Sequence, residues 1–220
     1  MKFNEFYSLT IVHSRDIILV KGVDYMNITK QKSQKTFDKQ AADYDTNIQG
    51  EHARKLYKPI IENLKNKNIH SILDLGCGTG ALLKEIKELN IAEQLFGIDI
   101  SPNMLEIAKN KLGNDATLIL GDSERLPFED SSFDAIVCND SFHHYPQPDI
   151  VEKEVSRCLK QNGVFIIGDC WQPIGARQIM NYYMKHSNSG DVKIYSKKEM
   201  LLLLSNCLLY TSDAADDGES

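Results

Sequence analysis

The stretch Ile72-Leu73-Asp74-Leu75-Gly76-Cys77-Gly78-Thr79-Gly80 decides the fold of this chain. The apolar run over residues 71–75 predicts a short buried strand, and residues 81–89 have the apolar spacing of a helix. The glycines therefore lie at a strand-to-helix turn. Without side chains they can adopt positive φ angles and bring backbone N–H groups close to a ligand near the helix N-terminus. The stretch predicts a nucleotide-binding loop.

A carboxylate follows the next predicted strand. Asp99 ends the apolar run over residues 94–98 and stands nineteen residues after Gly80. An acid at this place can accept hydrogen bonds from a ribose diol, and such charge-assisted bonds contribute roughly 1.5–3 kcal/mol each. A lone glycine cluster is usually an ordinary turn. The order strand, glycine loop, helix, strand and acid favours a nucleotide site instead.

The spacing of the glycines distinguishes between two nucleotide classes. The series Gly76-x-Gly78-x-Gly80 departs from the GxGxxG pattern of dinucleotide sites, in which the third glycine comes one residue later. The acidic Asp74 would repel a pyrophosphate but attract an ammonium group. S-adenosylmethionine is therefore the favoured cofactor, and a nicotinamide-dependent dehydrogenase remains an alternative.

The pattern along the chain predicts an α/β fold, with a Rossmann-like, mostly parallel sheet flanked by helices. Ser101 is a candidate N-cap before Pro102, and Ser196 with Glu199 forms a candidate capping box. The predicted strands are 71–75, 94–98, 116–120, 133–138 and 164–168, and the predicted helices are 33–46, 52–65, 81–89, 102–112, 150–159, 174–185 and 196–206.

Composition narrows the class of protein. The chain has 220 residues, 42% of them apolar, which suits one globular domain. Its net charge of -6 gives no basic surface for nucleic acid. The five cysteines have no CxxC pair and no metal-ligand spacing, which favours a reduced, cytoplasmic protein without a metal site. The apolar runs are too short to span a bilayer.

Both ends of the chain look foreign to the domain. Residues 207–220 change composition abruptly, and residues 207–216 resemble a translated sequencing adapter, so we leave this tail out of the fold prediction. Residues 21–26 could be encoded by a ribosome-binding sequence followed by a start codon, which makes residues 1–25 a possible untranslated extension. The predicted domain covers residues 26–206, with N-terminal helices over 33–66 and a Rossmann-like core over 70–206.

From about residue 37 to residue 206 the sequence resembles the class I S-adenosylmethionine-dependent methyltransferases, especially the methyltransferase type 11 group of ubiquinone and menaquinone biosynthesis. Five ordered motifs carry this resemblance: Leu73-Asp-Leu-Gly-Cys-Gly-Thr-Gly80, Gly97-Ile-Asp-Ile-Ser-Pro-Asn-Met-Leu105, Gly121-Asp-Ser-Glu-Arg-Leu-Pro-Phe128, Phe133-Asp-Ala-Ile-Val-Cys138 and Leu159-Lys-Gln-Asn-Gly163. The resemblance implies transfer of the methyl group of S-adenosylmethionine to a small-molecule acceptor.

The resemblance also assigns cofactor-binding roles. The methionine end would be surrounded by Asp74, Gly76, Cys77, Gly78 and Gly80, and the ribose hydroxyls would bind Asp99. The adenine would be flanked by Ile100 and Met104 and bound by Asp122 and the Ser123 backbone, with Asn139 near the cofactor.

The sequence departs from the family in two places. Gln161-Asn162 stands where the family has Pro-Gly, and Asn tolerates a left-handed backbone. Family members also continue into two further strands, which this chain is expected to lack. The strand over residues 164–168 would then lie at an exposed sheet edge.

Methyl transfer from a sulfonium needs mainly alignment of the reacting atoms, which can supply roughly 7–11 kcal/mol. A general base is needed only when the acceptor must lose a proton. His144 is the candidate base, with His143 second, because imidazole accepts protons near neutral pH. Both rings could instead merely line the pocket.

Other polar and aromatic residues receive simpler interpretations. Tyr44 could cover the cofactor from the Phe37/Ala41/Tyr44 helix face or pack in the core, and the basic run 30–39 predicts a solvated helix face. His52, His70 and His186 are expected at the surface.

Two further functions are weighed. A nucleic-acid methyltransferase is disfavoured because Asn139-Asp-Ser-Phe142 lacks the Asn/Asp-Pro-Pro-Tyr/Phe loop of amino-methylating DNA enzymes. An S-adenosylmethionine-binding protein without catalysis stays open, as do the acceptor's identity, the atom methylated and the oligomeric state.

Overall fold

The computed structural model describes residues 28–205. Its strands are β1 Ile69–Leu75, β2 Ala92–Asp99, β3 Ala116–Leu120, β4 Phe133–Asn139 and β5 Leu159–Gly168. Its α-helices are α1 Ile28–Gln40, α2 Ile48–Lys55, α3 Tyr57–Leu64, α4 Ala81–Glu88, α5 Pro102–Leu112, α6 Pro148–Cys158, α7 Ala176–His186 and α8 Lys197–Leu204, and a short 3₁₀ turn spans Phe142–His144.

The strands form one parallel sheet in the order β3-β2-β1-β4-β5. This arrangement confirms the Rossmann-like α/β prediction. Asp74 of β1 pairs in register with Gly97 of β2 on one side and with Val137 of β4 on the other. The direction of winding reverses between β1 and β4, and open α/β sheets bind ligands at the carboxyl ends of the strands at such a point. The glycine loop leaves β1 at this place.

Apolar side chains cover both faces of the sheet. One buried cluster joins α3 and α4 to β1 through side chains such as Leu64, Ile72 and Leu83. The other joins α6 to β4 through Phe133, Val151 and their neighbours. Burying one such side chain contributes about 1.5–3 kcal/mol. The carboxyl ends of the strands are therefore held on a rigid support.

Two N-terminal predictions differ from the structure. The helix predicted over 33–46 runs from Ile28 to Gln40, and a turn follows it. The helix predicted over 52–65 is two helices that meet at Leu56. Pro59 explains this break, because it has no N–H to donate to the carbonyl four residues earlier and is tolerated only in a first helical turn.

Several local predictions are confirmed. The Ser101 hydroxyl accepts the Met104 N–H at 3.1 Å and caps α5. Ser196 and Glu199 form the capping box of α8. Asn162 has a φ of 67°, the left-handed conformation expected there.

Some predictions concern positions that the structure does not describe. Residues 1–25, the tail 207–220 and any strands after α8 lie outside residues 28–205. Within the described part, no helix is long and apolar enough to cross a membrane.

Candidate functional site

A cleft of about 880 Å³, including its open mouth, lies at the carboxyl ends of β1, β2 and β4, with α1 and the following turn along one side. In an open α/β sheet this edge is where ligands bind. Every residue assigned to the cofactor except Gly80 lines this cleft, as does the candidate base His144. The sequence assignments therefore converge on one place: Asp74, Gly76, Cys77, Gly78, Asp99, Ile100, Met104, Asp122, Ser123 and Asn139.

The three glycines of the loop have positive φ angles, from 52° to 72°, but different surroundings. A Cβ on Gly76 would lie 2.1 Å from the Ser141 hydroxyl, whereas a Cβ on Gly78 would meet no atom within 4 Å. Gly78 thus faces open space in the cleft. A Cβ on Gly80 would lie 2.8 Å from Leu112, so Gly80 allows α4 to approach α5 rather than lining the cleft.

The Asp99 carboxylate is held by backbone N–H groups. Its Oδ2 accepts from Gly78 N and its Oδ1 from Ser101 N, both at 2.8 Å. The residue is 8% exposed. Burial raises the pKa of Asp99 to about 6, although these N–H groups act in the opposite direction. The carboxylate therefore has a fixed orientation at the end of β2, where a ribose diol could reach it.

Asp74 is a buried carboxylate with an unsatisfied oxygen. It is 2% exposed, and its Oδ1 has no hydrogen-bond partner among residues 28–205. Burial, with a smaller effect from Asp99, raises the pKa of Asp74 to about 8. A buried acceptor without a partner costs about 1–3 kcal/mol. A ligand with a positive group would satisfy it, and S-adenosylmethionine carries both an ammonium and a sulfonium.

Asp122, the residue expected to bind the adenine, is linked to α1 through Lys30. Asp122 accepts from Glu124 N at 2.9 Å through Oδ1, and its Oδ2 forms an ion pair with Lys30 Nζ at 2.5 Å. Lys30 also pairs with Glu124. The prediction of a solvated basic face is wrong for Lys30, whose side chain is only 11% exposed. α1 begins early enough to bring Lys30 over the loop that follows β3.

Two more acids fasten the N-terminal segment to the cofactor loops. Asp38 accepts from the Ser101 hydroxyl at 2.6 Å. Asp45 accepts from the Thr79 hydroxyl at 2.6 Å and from Lys111 Nζ at 2.7 Å. These bonds hold α1 and its turn against the loops after β1 and β2.

Tyr44 lies in the turn after α1 and not on the helix face that the sequence predicts. Its ring contacts Phe37 edge-on, with centroids 6.2 Å apart, and both side chains line the cleft. Burial raises the pKa of Tyr44, so its hydroxyl stays protonated. This position agrees with the covering role and not with packing in a closed core.

Asn139 and two histidines stand at the end of β4. Asn139 Nδ2 donates to Ala53 O at 3.3 Å, while its Oδ1 is buried without a partner in the described chain. His144 lines the cleft, and its Nδ1 lies 3.0 Å from Asp191 Oδ1. His143 does not line the cleft. Its ring Nδ1 lies 2.5 Å from Asp169 Oδ1 instead.

The two rings differ in charge. Burial and the neighbouring His143 lower the pKa of His144, and they outweigh the opposing effect of Asp191. Burial would also lower the pKa of His143, but the adjacent Asp169 carboxylate raises it well above the usual value. Near neutral pH, His144 is therefore a neutral imidazole beside a cationic His143. The sequence analysis missed Asp191 because it lies in a loop far along the chain and belongs to no motif.

A mixed group of donors lies beside the cleft. One ligand atom from each of Asp140, His143, Asp169 and Cys170 lies within 4.8 Å of the others. Asp140 is already 3.0 Å from the His52 ring, so His52 has a partner that its sequence spacing did not indicate. Asp169 accepts from the His143 ring and from Cys170 N. These contacts already engage the ligand atoms of Asp140, His143 and Asp169.

Comparison with known proteins gives a consistent family. A methyltransferase-domain model matches residues 73–167. A demethylmenaquinone methyltransferase of Thermotoga maritima is 32% identical over 163 residues, which cover 71% of this chain and 71% of that protein. A sterol 4-C-methyltransferase of Caenorhabditis elegans is 35% identical over 125 residues, covering 54% of this chain but only 36% of that protein.

Solved structures share the fold. An S-adenosylmethionine-dependent methyltransferase from Thermotoga maritima superposes with a TM-score of 0.62 at 21% identity. The match covers 80% of each chain. At this identity the likeness speaks for the architecture alone.

Proposed function

The chain belongs to the S-adenosylmethionine-dependent methyltransferases, and we propose that it binds this cofactor in the cleft beside β1, β2 and β4 and methylates a small molecule there. The observation that carries the site assignment is the buried, unsatisfied Asp74 carboxylate beside the glycine loop. A cationic ligand explains why a buried acid without a hydrogen-bond partner on Oδ1 is kept in the cleft.

Each end of the cofactor has a suitable partner. Asp74 and the Gly76-to-Gly78 backbone would hold the methionine part, and Asp99 would accept from the ribose hydroxyls. Ile100 and Met104 would pack on the adenine. Asp122 would bind the adenine amino group with a free lone pair, because Lys30 and Glu124 N each take only one. When bound, the cofactor supplies an activated methyl group on a sulfonium.

The protein's share of the chemistry is mainly alignment. The sheet and the hydrogen-bonded loops hold Asp74 and Asp99 in fixed places, and Phe37 with Tyr44 covers one side of the cleft. Positioning of this kind lowers the activation barrier, because the reactants have already lost their translational and rotational entropy on binding. Family membership removes the nicotinamide-dehydrogenase alternative. Label transfer distinguishes methylation from cofactor binding without catalysis.

The acceptor and the compartment are also proposals. Relatives are named for demethylmenaquinone and sterol acceptors, which supports a small molecule here and argues against nucleic acid. The described cysteines Cys77, Cys138, Cys158 and Cys170 are all unpaired, which supports a reduced, cytoplasmic location.

The experiment is label transfer from methyl-labelled S-adenosylmethionine to a metabolite extract, with Asp99→Asn and the exposed control Asp115→Asn in parallel. We expect a labelled product with the unchanged chain and with Asp115→Asn, and little or none with Asp99→Asn. Cofactor binding without any labelled product would contradict the enzymatic assignment.

A further inference from the structure

Asp191 reaches His144 from a distant part of the chain. It lies in the loop between α7 and α8, and its Oδ1 is 3.0 Å from His144 Nδ1. The two atoms are within hydrogen-bond distance, but their geometry falls short of a formed hydrogen bond in the described chain. Catalytic hydrogen bonds are commonly poorly aligned before substrate binds.

The loop that carries Asp191 is fixed against the histidine turn. Val192 N and Lys193 N donate to the His143 carbonyl at 2.8 and 3.2 Å. The Ser189 hydroxyl donates to Asp191 Oδ2 at 2.7 Å. The second carboxylate oxygen is thus held by its own loop, and the first is left to face His144.

The opposite side of this loop packs on α1. The Ser33 hydroxyl donates to the Gly190 carbonyl at 3.1 Å. Gly190 has a φ of 91°, and a Cβ there would lie 2.3 Å from Ser33 N. Only glycine fits this approach. Asp191 is therefore placed by contacts on both sides of its loop.

His144 is largely buried and has charged neighbours. The Phe37 ring packs edge-on against it, with centroids 5.0 Å apart. The charged groups that act on it are Asp191, the adjacent His143 and, behind His143, Asp169. Asp191 is the carboxylate in direct contact with the ring, so it is the group that can balance a charge formed on His144.

We propose that Asp191 positions His144 as a general base for an acceptor that must lose a proton from a hydroxyl group, an inference that rests on the proposed methyltransferase function. With Nδ1 turned to Asp191, Nε2 is the ring nitrogen left for the acceptor. His144 takes the hydroxyl proton while the acceptor oxygen forms a bond to the methyl carbon and the carbon–sulfur bond breaks. The products are a methyl ether, a neutral thioether and one proton, which leaves His144 for solvent.

The charges in the cleft favour this acceptor class over a carboxylate. Four aspartates line the cleft: Asp74, Asp99, Asp122 and Asp140. Lys30 is the one lysine or arginine among the described lining residues, and it is paired with Asp122 and Glu124. The described lining offers a carboxylate acceptor no unpaired lysine or arginine, and its aspartates would repel it, whereas a neutral hydroxyl compound would not be repelled.

The dyad is tested with 1-naphthol as the acceptor probe and methyl-labelled S-adenosylmethionine. We expect His144→Gln to lower kcat about 100-fold and Asp191→Asn about 10-fold or more, within the range of general-base effects. The controls His186→Gln and Asp115→Asn replace the same residue types at exposed places and should leave kcat unchanged. Cofactor affinity, measured by calorimetry, should stay within about twofold in all four variants.

A pH profile separates positioning from a structural role. Activity should rise with pH as His144 loses its proton. Asp191 favours the charged ring, so Asp191→Asn should lower the pKa of His144 and move this acidic limb to lower pH while the plateau falls. A variant that lost activity only by misfolding would keep the limb in place.

The acceptor class is tested with 1-naphthoate, which has the same ring system and a carboxylate in place of the hydroxyl. We expect transfer to 1-naphthol to be at least about tenfold faster in kcat/KM. Equal or faster transfer to 1-naphthoate, no transfer to 1-naphthol by a chain that binds the cofactor, or full activity of Asp191→Asn would overturn the inference. Failure to bind S-adenosylmethionine would instead refute the proposed function.

Discussion

Asp99 Oδ2 accepts a hydrogen bond from the Gly78 N–H at 2.8 Å, which joins the acid at the end of β2 to the glycine loop after β1. The two sequence features that point to a nucleotide are thus one physical unit. The bond fixes the loop conformation and leaves the carboxylate's remaining lone pairs for a ligand. A change at Asp99 should therefore disturb both the conformation of the glycine loop and the binding of the ligand.

Replacing Asp99 by Asn should weaken cofactor binding strongly. The amide keeps the shape but loses the charge and presents an N–H₂ group to one of the two backbone N–H donors. Loss of charge-assisted bonds worth roughly 1.5–3 kcal/mol corresponds to a rise in Kd of about 10- to 150-fold. Calorimetric titration measures this change, with Asp115→Asn as the control. A Kd within twofold of the unchanged chain would contradict the role of Asp99.

Replacing Asp74 by Asn should stabilise the cofactor-free protein. The pKa of Asp74 is about 8 in the folded chain and near its ordinary value when unfolded. Between these values the folded state holds a proton that the unfolded state releases, so the free energy of unfolding falls as pH rises from about 4 to about 8. An amide does not titrate in this range, so Asp74→Asn removes this pH-dependent fall in the free energy of unfolding. We expect little difference in the free energy of unfolding at pH 4 and a gain for Asp74→Asn that grows with pH, by at most about 1.4 kcal/mol per pH unit up to about pH 8, in urea unfolding.

The same Asp74→Asn chain should bind S-adenosylmethionine more weakly, because the ammonium or sulfonium loses its counter-charge. Substitutions at functional sites often raise the stability of the protein while they weaken its function. Unchanged affinity together with unchanged stability would mean that Asp74 is an ordinary buried residue.

Removing the Lys30 charge should loosen α1. Lys30→Met keeps the length of the side chain but breaks its ion pairs with Asp122 and Glu124, which leaves both acids without this partner. We expect faster cleavage within α1 in limited proteolysis and a cofactor dissociation rate several-fold higher in stopped-flow. Lys35→Met, at an exposed position on the same helix, is the control. Equal behaviour of the two variants would show that the Lys30 pairs do not hold the helix.

The sequence was sufficient for the parts of the fold that local patterns determine. The boundaries of α5 and β3 agree with the prediction because Ser101, Pro102 and the alternating apolar runs act within a few residues. The residues that the family resemblance assigns to the cofactor line one cleft because most of them lie at or just after strand ends, and the ends of parallel strands meet at one edge of the sheet.

Other parts depend on contacts between distant residues. Asp191 meets His144 only because its loop bonds to the His143 carbonyl, and no pattern near Asp191 reports that contact. Lys30 resembles its solvated neighbours in sequence and differs only in the acids that α1 reaches. Gly80 belongs to the glycine series but serves helix packing, which depends on Leu112 of another element.

The most direct test is calorimetric titration of S-adenosylmethionine into the full chain at pH 7, in two buffers that differ in ionisation enthalpy. Asp74 has a pKa of about 8 before binding and must be ionised beside a cation, so binding should release up to about one proton. We predict one-to-one binding with this release, and its loss in Asp74→Asn. Binding of NAD in place of S-adenosylmethionine, or S-adenosylmethionine binding without proton release, would contradict the account.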